Sequence, residues 1–333
     1  MVAQVRIVAN DPASPQDSGM ASVTLDWTDC PPPAFIGGAV AVGNFDGVHL
    51  GHRALIAATA RRARAVGGPT IAITFDPPPY QILFPNAPLR PPLTTISDRV
   101  ERLHAEGATH VVVLRTTPKL LELSPEAFVH DLLVGRLGTR VIVEGYNFRF
   151  GHNRAGDTAL LRALCNRMGI GFEEVPPFVI AGEAVSSSRV RTALLCGAVS
   201  SATEWLGRPY QIMGTVVSGA RRGRTIGFPT ANLGEVPTVL PANGVYAVRA
   251  RVDGTTWPAA ANVGPNPTFG DDAQKIEVHL IDFSGDLYGK SLAVEFIEKL
   301  RDTRPFVSVN ELIAQLRADV EAASRILNRE RSA

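Results

Sequence analysis

Short apolar runs alternate with helix-like segments between residues 38 and 168, and this alternation restricts the fold more than any other feature of the chain. A short apolar run bounded by glycine is typical of a buried strand, and a longer segment with one apolar face is typical of a helix. The predicted strands are Gly38–Gly43, Thr70–Phe75, His110–Leu114 and Arg140–Glu144, and the predicted helices are Gly51–Val66, Ser97–Glu106, Ser124–Arg136 and Asp157–Met168. This order predicts an α/β domain with a parallel sheet and helices on both faces. Ligands of such domains bind at the carboxyl ends of the strands.

One connection in this region, residues 75–95, is rich in proline. Because proline lacks a backbone donor and clashes with the preceding turn, we expect neither a regular helix nor a central strand there. A long loop inside a compact domain is usually functional, so the segment is predicted to cover the ligand site.

The pattern changes after about Gly197. Short alternating strands are predicted at Gly214–Val217, Val245–Val252, Ile276–Asp282 and Leu292–Ile297, with Asn-Gly and Asp-Gly turn pairs at 243–244 and 253–254. These signals predict a small antiparallel β-barrel. A helix from Ser308 to Asn328 closes it. The predicted organisation is an irregular tail (1–20), an α/β domain (21–197), a linker (198–210) and a barrel domain (211–333).

Composition narrows the classes of partner. Basic and acidic residues nearly cancel, 33 against 32, which disfavours a nucleic-acid partner because such proteins carry a basic excess. No apolar run reaches the roughly 18 residues of a membrane span, so we expect no membrane partner. The three cysteines form no CxxC pair, which favours a reducing, cytoplasmic setting. We expect small-molecule substrates and a monomer or weak homo-oligomer.

The first chemical motif, GNFDGVHLGH, follows the first predicted strand and leads into the first helix. Gly43 and Gly47 permit a tight turn, and Gly51 lets the backbone approach a ligand. His49 and His52 lie at the helix N-terminus, where free N–H groups and the helix dipole favour phosphate. A Walker loop or a GxGxxG fingerprint does not occur at this junction. We interpret the pair as phosphate ligands rather than as a metal pair or a chance surface pair.

The second motif, VSSSRVR, ends at Arg191 and also precedes a predicted helix. Its hydroxyls and arginines are suited to an anion, and Arg191 would neutralise phosphate charge. A serine run before a helix is more often only a cap, so the motif is informative mainly together with the two histidines.

The third motif, GRTIGFPTAN, follows the predicted strand that ends at Val217. A glycine- and arginine-rich flap offers backbone amides and cations to phosphate. Thr230 and Asn232 lie two apart in an extended segment, so their oxygens point to one side. Oxygen ligands suit Mg²⁺, which retains waters and binds ATP phosphates. The alternative interpretation is a mobile hairpin without a ligand.

The HxGH element, the serine-rich element and the segment Gly145–Gly151 together resemble the FMN adenylyltransferase module of prokaryotic bifunctional riboflavin kinase/FAD synthetases, which belongs to the HxGH nucleotidylyltransferase superfamily with its Rossmann-like fold. GRTIGFPTAN resembles the riboflavin kinase signature GRxxGFPTAN. The resemblance runs from about residue 37 to 325. It implies two activities: riboflavin and ATP give FMN, and FMN and ATP give FAD and pyrophosphate, both with Mg²⁺.

The resemblance also implies roles for individual residues. Glu277 is the general base for the ribityl 5′-hydroxyl, on a strand face that would otherwise be read as solvated. In the other module His49 and His52 hold the ATP phosphates, Asn147 contacts nucleotide and flavin phosphates, and Ser187, Ser188 and Arg191 act on the triphosphate. Phe75, Pro77 and Phe150 shape the flavin pocket, Arg301 and Phe306 hold the isoalloxazine ring, and Thr230 and Asn232 bind the metal. For Phe148 and Phe150, packing in the core is the alternative. The remaining binding residues are Gly43, Phe45, Asp46, Gly51, Gly219, Arg222, Gly223, Arg224, Gly227 and Pro229.

Two departures from the family pattern leave an alternative open. Ala184 stands where a basic residue is common, and Pro78 stands where a polar residue is usual. The alternatives are a riboflavin kinase with an impaired adenylyltransferase domain and a non-catalytic flavin-binding regulator.

Overall fold

The computed structural model describes residues 19–88, 90–219, 223, 226–266 and 271–331. The chain divides into two compact units: an N-terminal unit of Met1–Arg90 and Thr94–Val185, and a C-terminal unit of Pro91–Leu93 and Ser186–Ala333. The predicted tail lies, except for residues 19 and 20, outside the described residues. The segment predicted as a linker contains a helix, Val199–Leu206, with Val199, Ala202 and Leu206 buried. The boundary between the two functional domains stays a prediction.

The N-terminal unit is built on a six-stranded sheet in the order β1-β4-β3-β2-β5-β6, and every pair in it is parallel. The strands are β1 (Ala21–Leu25), β2 (Ala39–Val42), β3 (Thr70–Asp76), β4 (His110–Arg115), β5 (Val141–Gly145) and β6 (Gly171–Val175). Two further short strands, β7 (Val179–Ile180) and β8 (Glu183–Ala184), form a separate antiparallel pair. The chain order reverses between β2 and β5. That crossover is where ligands bind in open α/β sheets.

Helices cover both faces of this sheet, as predicted. Side chains of β2 alternate between two cores: Val40 and Val42 pack in one, and Ala39 and Ala41 pack in the other. The helices are α1 (Leu50–Ala65), α2 (Pro79–Leu83), α3 (Ile96–Ala105), α4 (Pro118–Leu121), α5 (Pro125–Ala127) and α6 (Thr158–Met168), with a π-helix at Phe128–Val134 and short 3₁₀ turns at Pro33–Phe35 and His152–Arg154.

Some local predictions differ from the structure. The proline-rich segment contains the short helix α2, because Pro79 at its first turn needs no backbone donor. Helix α3 begins one residue earlier than predicted, and Thr95 rather than Ser97 is its N-cap, accepting from the Asp98 N–H at 3.1 Å. Strands β1 and β6 were not predicted.

The C-terminal unit contains a closed antiparallel barrel in the order β10-β13-β12-β11-β14-β9, which confirms the predicted barrel. Its strands are β9 (Tyr210–Val217), β10 (Ala231–Gly234), β11 (Gly244–Val252), β12 (Thr255–Asn266), β13 (Asp271–Leu280) and β14 (Ser291–Arg301), and its helices are α7 (Ser187–Leu195), α8 (Val199–Leu206) and α9 (Val309–Arg331). Ala323 and Leu327 of α9 pack on barrel residues, so α9 is the predicted closing helix.

Within the described ranges, no helix combines the length and apolar character needed to cross a membrane.

Candidate active sites

The loop between β2 and α1, residues 43–49, carries the predicted phosphate site, and we call it the histidine loop. Phe45, Gly47 and Val48 all have left-handed backbones, with φ of 46°, 84° and 41°. For the non-glycine residues Phe45 and Val48, this conformation costs about 1–3 kcal/mol each. Contacts with the surrounding structure must offset that cost. Both side chains are almost fully buried. Burial of these two residues therefore helps to set the shape of the loop.

The two histidines are stacked at the start of α1. Their ring centroids are 3.6 Å apart and the planes differ by 18°. His49 is the N-cap of α1, and its Nδ1 accepts from the His52 N–H at 3.3 Å. An accepting Nδ1 leaves the ring proton on Nε2, where it is a donor for an anionic oxygen. The arrangement presents imidazole donors beside the positive end of a helix dipole.

Gly51 lies in the first turn of α1 next to these rings. A Cβ at this position would stand 3.1 Å from Cε1 and 3.2 Å from Nδ1 of His49, and 3.6 Å from the carbonyl oxygen of Val185. A side chain at residue 51 would therefore displace the His49 ring by a few tenths of an ångström, so glycine is favoured here for space rather than for backbone conformation. Gly43 has a looser requirement, because a Cβ there would only touch the Phe45 ring at 3.4 Å.

A buried polar network supports the histidine loop from below. The Gly47 N–H donates to Thr94 Oγ1 at 3.1 Å, and the Thr94 N–H donates to Asp46 Oδ1 at 3.2 Å. Thr74 Oγ1 donates to the carbonyl of Asn44 at 3.1 Å. The structure thus shows that Asp46, which was predicted to bind ligand, forms a hydrogen bond that holds the loop.

Arg99 of α3 joins this network, and sequence reasoning missed it. Its Nη2 lies 3.6 Å from Asp46 Oδ1, and its Nη1 donates to Thr74 Oγ1 at 3.2 Å. Nothing in the sequence distinguishes this arginine from the exposed charges of the same helix.

The carboxyl end of β5 carries the next predicted residues. Asn147 is exposed, and its Oδ1 lies 3.6 Å from the Cβ position of Gly145. Phe150 is 4% exposed and packs against Phe148 and Phe128, with ring centroids 5.4 and 5.9 Å apart. The structure therefore places Phe150 in the core of the unit.

Phe75 and Pro77 lie at the carboxyl end of β3 and are both half-buried. Thr116 Oγ1 donates to the carbonyl of Pro77, which ties the start of the proline-rich segment to the end of β4. Pro78, one of the departures from the family pattern, is the N-cap of α2.

The serine-rich element opens α7 in the C-terminal unit. Ser186 is the N-cap and accepts from the Arg189 N–H at 3.4 Å, so one hydroxyl of the run is a cap. Ser187 and Ser188 occupy the first turn, and Ser188 is exposed. Arg191 donates to the carbonyl of Pro91. The structure thus separates one capping serine from two hydroxyls in the first helical turn.

In the barrel, strand register brings the kinase candidates together. Asn232 of β10 is directly opposite Glu277 of β13, and Glu277 is in turn opposite Asn262 of β12. Directly opposed residues of antiparallel strands share a face, with Cβ atoms about 4.5–5.5 Å apart. Their neighbours Ala231 and Val278 are buried, so Asn232 and Glu277 point out of the barrel.

The segment before β10 adds further oxygens to this face. Thr230 lies two residues before Asn232 and is exposed. The Pro229 carbonyl oxygen lies 2.8 Å from the ring nitrogen Nδ1 of His279. The structure thus opposes the Asn232 carboxamide and the Glu277 carboxylate, with the exposed Thr230 two residues before Asn232.

Close glycine contacts shape the flap. A Cβ on Gly219 would stand 2.3 Å from Asn232 Nδ2, and one on Gly223 would stand 2.2 Å from the carbonyl oxygen of Phe228. Gly227 has a φ of +88°. Gly219 and Gly223 therefore let the backbone pass close to Asn232 and Phe228. Arg222 and Arg224 lie outside the described residues.

The donor set on this face fits a magnesium ion. Mg²⁺ prefers oxygen ligands and retains several waters, so few protein groups suffice. The Asn232 carboxamide can pack this closely against residue 219 because that residue lacks a Cβ. Among the described residues, no group of three or more His, Cys, Asp or Glu side chains forms an alternative metal site.

A cavity of about 680 Å³ opens next to Thr230, within the size range of small-molecule sites. The inner barrel wall contributes its apolar side, including Val216, Val278 and Leu280. The loop Phe283–Tyr288 contributes the opposite side, with the hydroxyl of Ser284 and the carboxylate of Asp286. The cavity combines apolar walls with a few polar groups beside the predicted metal ligands.

Arg301 and Phe306 are close to each other at the end of β14. The guanidinium carbon lies 5.7 Å from the ring centroid, and Arg304 lies 4.8 Å from the same ring. Arg301 also donates to both carboxylate oxygens of Asp319 at 2.7–3.1 Å. Asp319 is 4% exposed, so this α9 carboxylate holds Arg301 in place.

Two different protein families match the two parts of this chain. Residues 33–189 match the FAD synthetase family, and residues 206–327 match the riboflavin kinase family. A bifunctional riboflavin kinase/FMN adenylyltransferase of Pseudomonas fluorescens is 38% identical over 293 residues, 87% of this chain and 93% of that protein. A protein of the same name from Haemophilus influenzae is 36% identical, over 88% of this chain and 95% of its own length.

Among solved structures, a Streptococcus pneumoniae protein described as a macrolide-efflux protein shares the fold, with a TM-score of 0.82 and 31% identity. The match covers 91% of this chain and 98% of that one.

Proposed function

The chain belongs to the family of bifunctional riboflavin kinase/FMN adenylyltransferases, and on that premise we propose that its two reactions are divided between the candidate sites described above. The protein is a transferase with two activities. It moves the γ-phosphate of ATP to riboflavin, which gives FMN and ADP, and it moves AMP from ATP to FMN, which gives FAD and pyrophosphate. The geometry of the described residues supports an assignment of each step.

We assign riboflavin phosphorylation to the outer face formed by β10 and β13. Glu277 accepts the proton of the ribityl 5′-hydroxyl while the 5′-oxygen attacks the γ-phosphorus of ATP and ADP leaves. A positioned general base contributes about 10²–10⁴-fold to such a step. The cavity beside Thr230 takes the nucleotide, and the glycines 219, 223 and 227 leave backbone amides near it uncovered by side chains. The opposed register of Asn232 and Glu277 carries this assignment.

Thr230 and Asn232 would hold Mg²⁺ in this site. When bound, the ion neutralises charge on the ATP phosphates and helps to align them. The chain's own residues do the remaining work: Glu277 takes the proton, Gly219 makes room for Asn232, and the contact of Pro229 with His279 fixes the backbone before Thr230. Arg301 and Phe306 are proposed to contact the isoalloxazine ring, with Asp319 keeping the guanidinium in place.

We assign FMN adenylylation to the histidine loop at the β2–β5 crossover. The α1 N-terminus and the Nε2–H of His49 stabilise the developing charge on the phosphates as the FMN phosphate oxygen attacks the α-phosphorus of ATP and pyrophosphate leaves. Ser187, Ser188, Arg191 and Asn147 remain proposed phosphate ligands, and Phe75 and Pro77 remain proposed walls of the flavin pocket.

The setting of the protein is also part of the proposal. The cysteines Cys30, Cys165 and Cys196 are all unpaired, which favours a reducing, cytoplasmic compartment. We propose a monomer or weak homo-oligomer with small-molecule substrates alone.

Two variants test the assignment. Glu277→Gln removes the base, so riboflavin phosphorylation should fall at least about 100-fold, while FAD is still made from supplied FMN. His49→Ala combined with His52→Ala should have the opposite effect, so FMN accumulates from riboflavin and ATP. Chromatography of the flavins with mass detection separates the three species.

Matched controls lie elsewhere in the same units, and both should leave the two activities unchanged. Glu295→Gln changes a glutamate on barrel strand β14, opposite Arg249 and Gln211. His130→Ala changes a histidine that is 71% exposed in the N-terminal unit. If either active-site variant abolished both reactions in a folded protein, the separation of the two sites would be wrong.

A further inference from the structure

The buried guanidinium of Arg99 lies beneath the histidine loop. Its side chain is only 3% exposed. It contacts Asp46 at 3.6 Å, donates to Thr74 Oγ1 at 3.2 Å, and donates to the carbonyl of Thr94 at 3.5 Å. One side chain therefore joins the loop carboxylate to the two threonines that hold the loop backbone.

Each of these threonines bonds a different part of the loop. Thr74 Oγ1 donates to the Asn44 carbonyl, and Thr94 Oγ1 accepts from the Gly47 N–H. These two points lie on either side of the left-handed residue Phe45. A backbone in this conformation relaxes when its tethers are removed, because the tethers balance its strain.

The positive charge of Arg99 explains why a carboxylate of the histidine loop lies beside it. Burial lowers the pKa of its guanidinium, and the carboxylates of Asp46 and Asp76 oppose this effect. Arginine nevertheless stays protonated in proteins, so a buried positive charge must keep an anion nearby. Asp46 supplies that anion from within the loop, and its position is therefore coupled to α3.

We propose that Arg99 is a positioning residue for FMN adenylyl transfer. Acting through Asp46, Thr74 and Thr94, it holds the histidine loop in the shape that presents His49 and His52 to the phosphates. The proposal rests on the assignment of those histidines under the proposed function. Arg99 itself touches neither substrate nor the reacting atoms.

The test compares Arg99→Met with Arg99→Lys in the full-length protein. Arg99→Met keeps much of the volume and removes the charge, so kcat for FMN adenylylation should fall about 30- to 100-fold, the loss expected from a misplacement of about 1 Å. KM for FMN should change little, because the proposed flavin walls lie outside the network. Arg99→Lys should recover most of the loss, because it restores the charge beside Asp46.

Two controls separate positioning from folding. Riboflavin kinase activity of the same sample should remain at the parent level. Arg102→Met, three residues along α3, should leave both activities unchanged. Arg99→Met with parent kcat, no rescue by lysine, or a parallel loss of kinase activity would each overturn the proposal.

A double-mutant cycle tests the route through Asp46. If Arg99 acts through this carboxylate, Arg99→Met combined with Asp46→Asn should lose no more kcat than the more damaging single change. Additive losses would show two independent contributions and overturn the proposal. Failure of the proposed function is distinguishable, because it would appear as undiminished FAD formation by the His49→Ala, His52→Ala variant whatever Arg99 does.

Discussion

Glu144 is a fully buried carboxyl at the crossover of the parallel sheet. Strands β2 and β5 are paired only at Ala39–Val141 and Val40–Ile142, and beyond this point the Val42 N–H donates to Glu144 Oε1 at 2.6 Å. The side chain thus replaces a ladder hydrogen bond where the strands part. Burial raises its pKa well above the ordinary value of 4.5, and hydrogen bonds from the Val42 and Gly145 backbones oppose this only in part.

This raised pKa predicts a pH-dependent stability. Between pH 4.5 and the raised folded pKa, the folded protein holds a proton that the unfolded chain has released. The stabilisation is therefore complete below the unfolded pKa and is lost as pH rises through the folded pKa, by about 1.4 kcal/mol per pH unit within that window. Glu144→Gln keeps a carbonyl acceptor for Val42 and does not titrate.

Relative to the parent, Glu144→Gln should raise the unfolding temperature of the N-terminal unit at pH 8 and give no such gain at pH 4.5. Thermal unfolding at a series of pH values measures this. Glu101→Gln, an exposed residue of α3, is the control and should follow the parent curve. Parallel curves for Glu144→Gln and the parent would contradict a raised pKa.

At the scale of single elements, the first turn of α1 shows how function restricts a helix. Ala is favoured over Gly in a helix interior by about 1 kcal/mol, yet Gly51 occupies the turn that carries His52. The structure gives the reason, since a Cβ would stand 3.1 Å from the His49 ring. Space for the imidazole outweighs helix propensity at this position.

Gly51→Ala should therefore separate stability from activity. We expect an unfolding temperature equal to or above that of the parent, and about a tenfold loss of FMN adenylylation from a displacement of His49 by a few tenths of an ångström. Riboflavin kinase activity, measured on the same sample, should be unchanged. Retention of full FAD formation would show that the ring does not need its present position.

Strand pairing acts at the same scale in the barrel. Alternation along β13 places Glu277 on the outer face, but it does not say which residue stands opposite. A slip of one residue would move Glu277 to the inner face, and the observed register instead aligns it with Asn232. The kinase assignment therefore depends on pairing between strands that are far apart in the chain.

At the scale of the whole molecule, one chain carries an FAD synthetase match and a riboflavin kinase match, and the two reactions are assigned to different sets of residues. Each reaction consumes a separate ATP. If FMN leaves the protein after it is formed, a second protein molecule can bind it and convert it to FAD. We expect an equimolar mixture of Glu277→Gln and the His49→Ala, His52→Ala variant to make FAD from riboflavin and ATP.

The mixture should show a lag while FMN accumulates, and the lag should shorten as protein concentration rises. Flavin chromatography over time measures both. Either variant alone is the control and should make little FAD from riboflavin. A mixture that makes FMN but no FAD would show that FMN must pass between the sites of one molecule.

Local sequence patterns predicted the fold class of both parts of the chain. The apolar runs and turn pairs predicted the parallel sheet, the barrel and the closing helix, because side-chain periodicity directly records which face of an element is buried. The predicted strands at the β2 and β3 positions agree with the structure to within one or two residues. Thr230, Asn232 and the two histidines were proposed from motifs, whereas Glu277 was proposed only through the family resemblance.

Only the tertiary structure decided which groups meet. Strand β1 pairs with β4, about 90 residues away, and no local signal marks an edge strand of five residues. Arginine and glutamate are residue types usually found on the surface. Arg99 and Glu144 have their roles because the fold buries Arg99 beside Asp46 and Glu144 beside Val42. Periodicity depends on near neighbours in the chain, whereas burial, pKa and ion pairing depend on neighbours in space, and those exist only once the chain has folded.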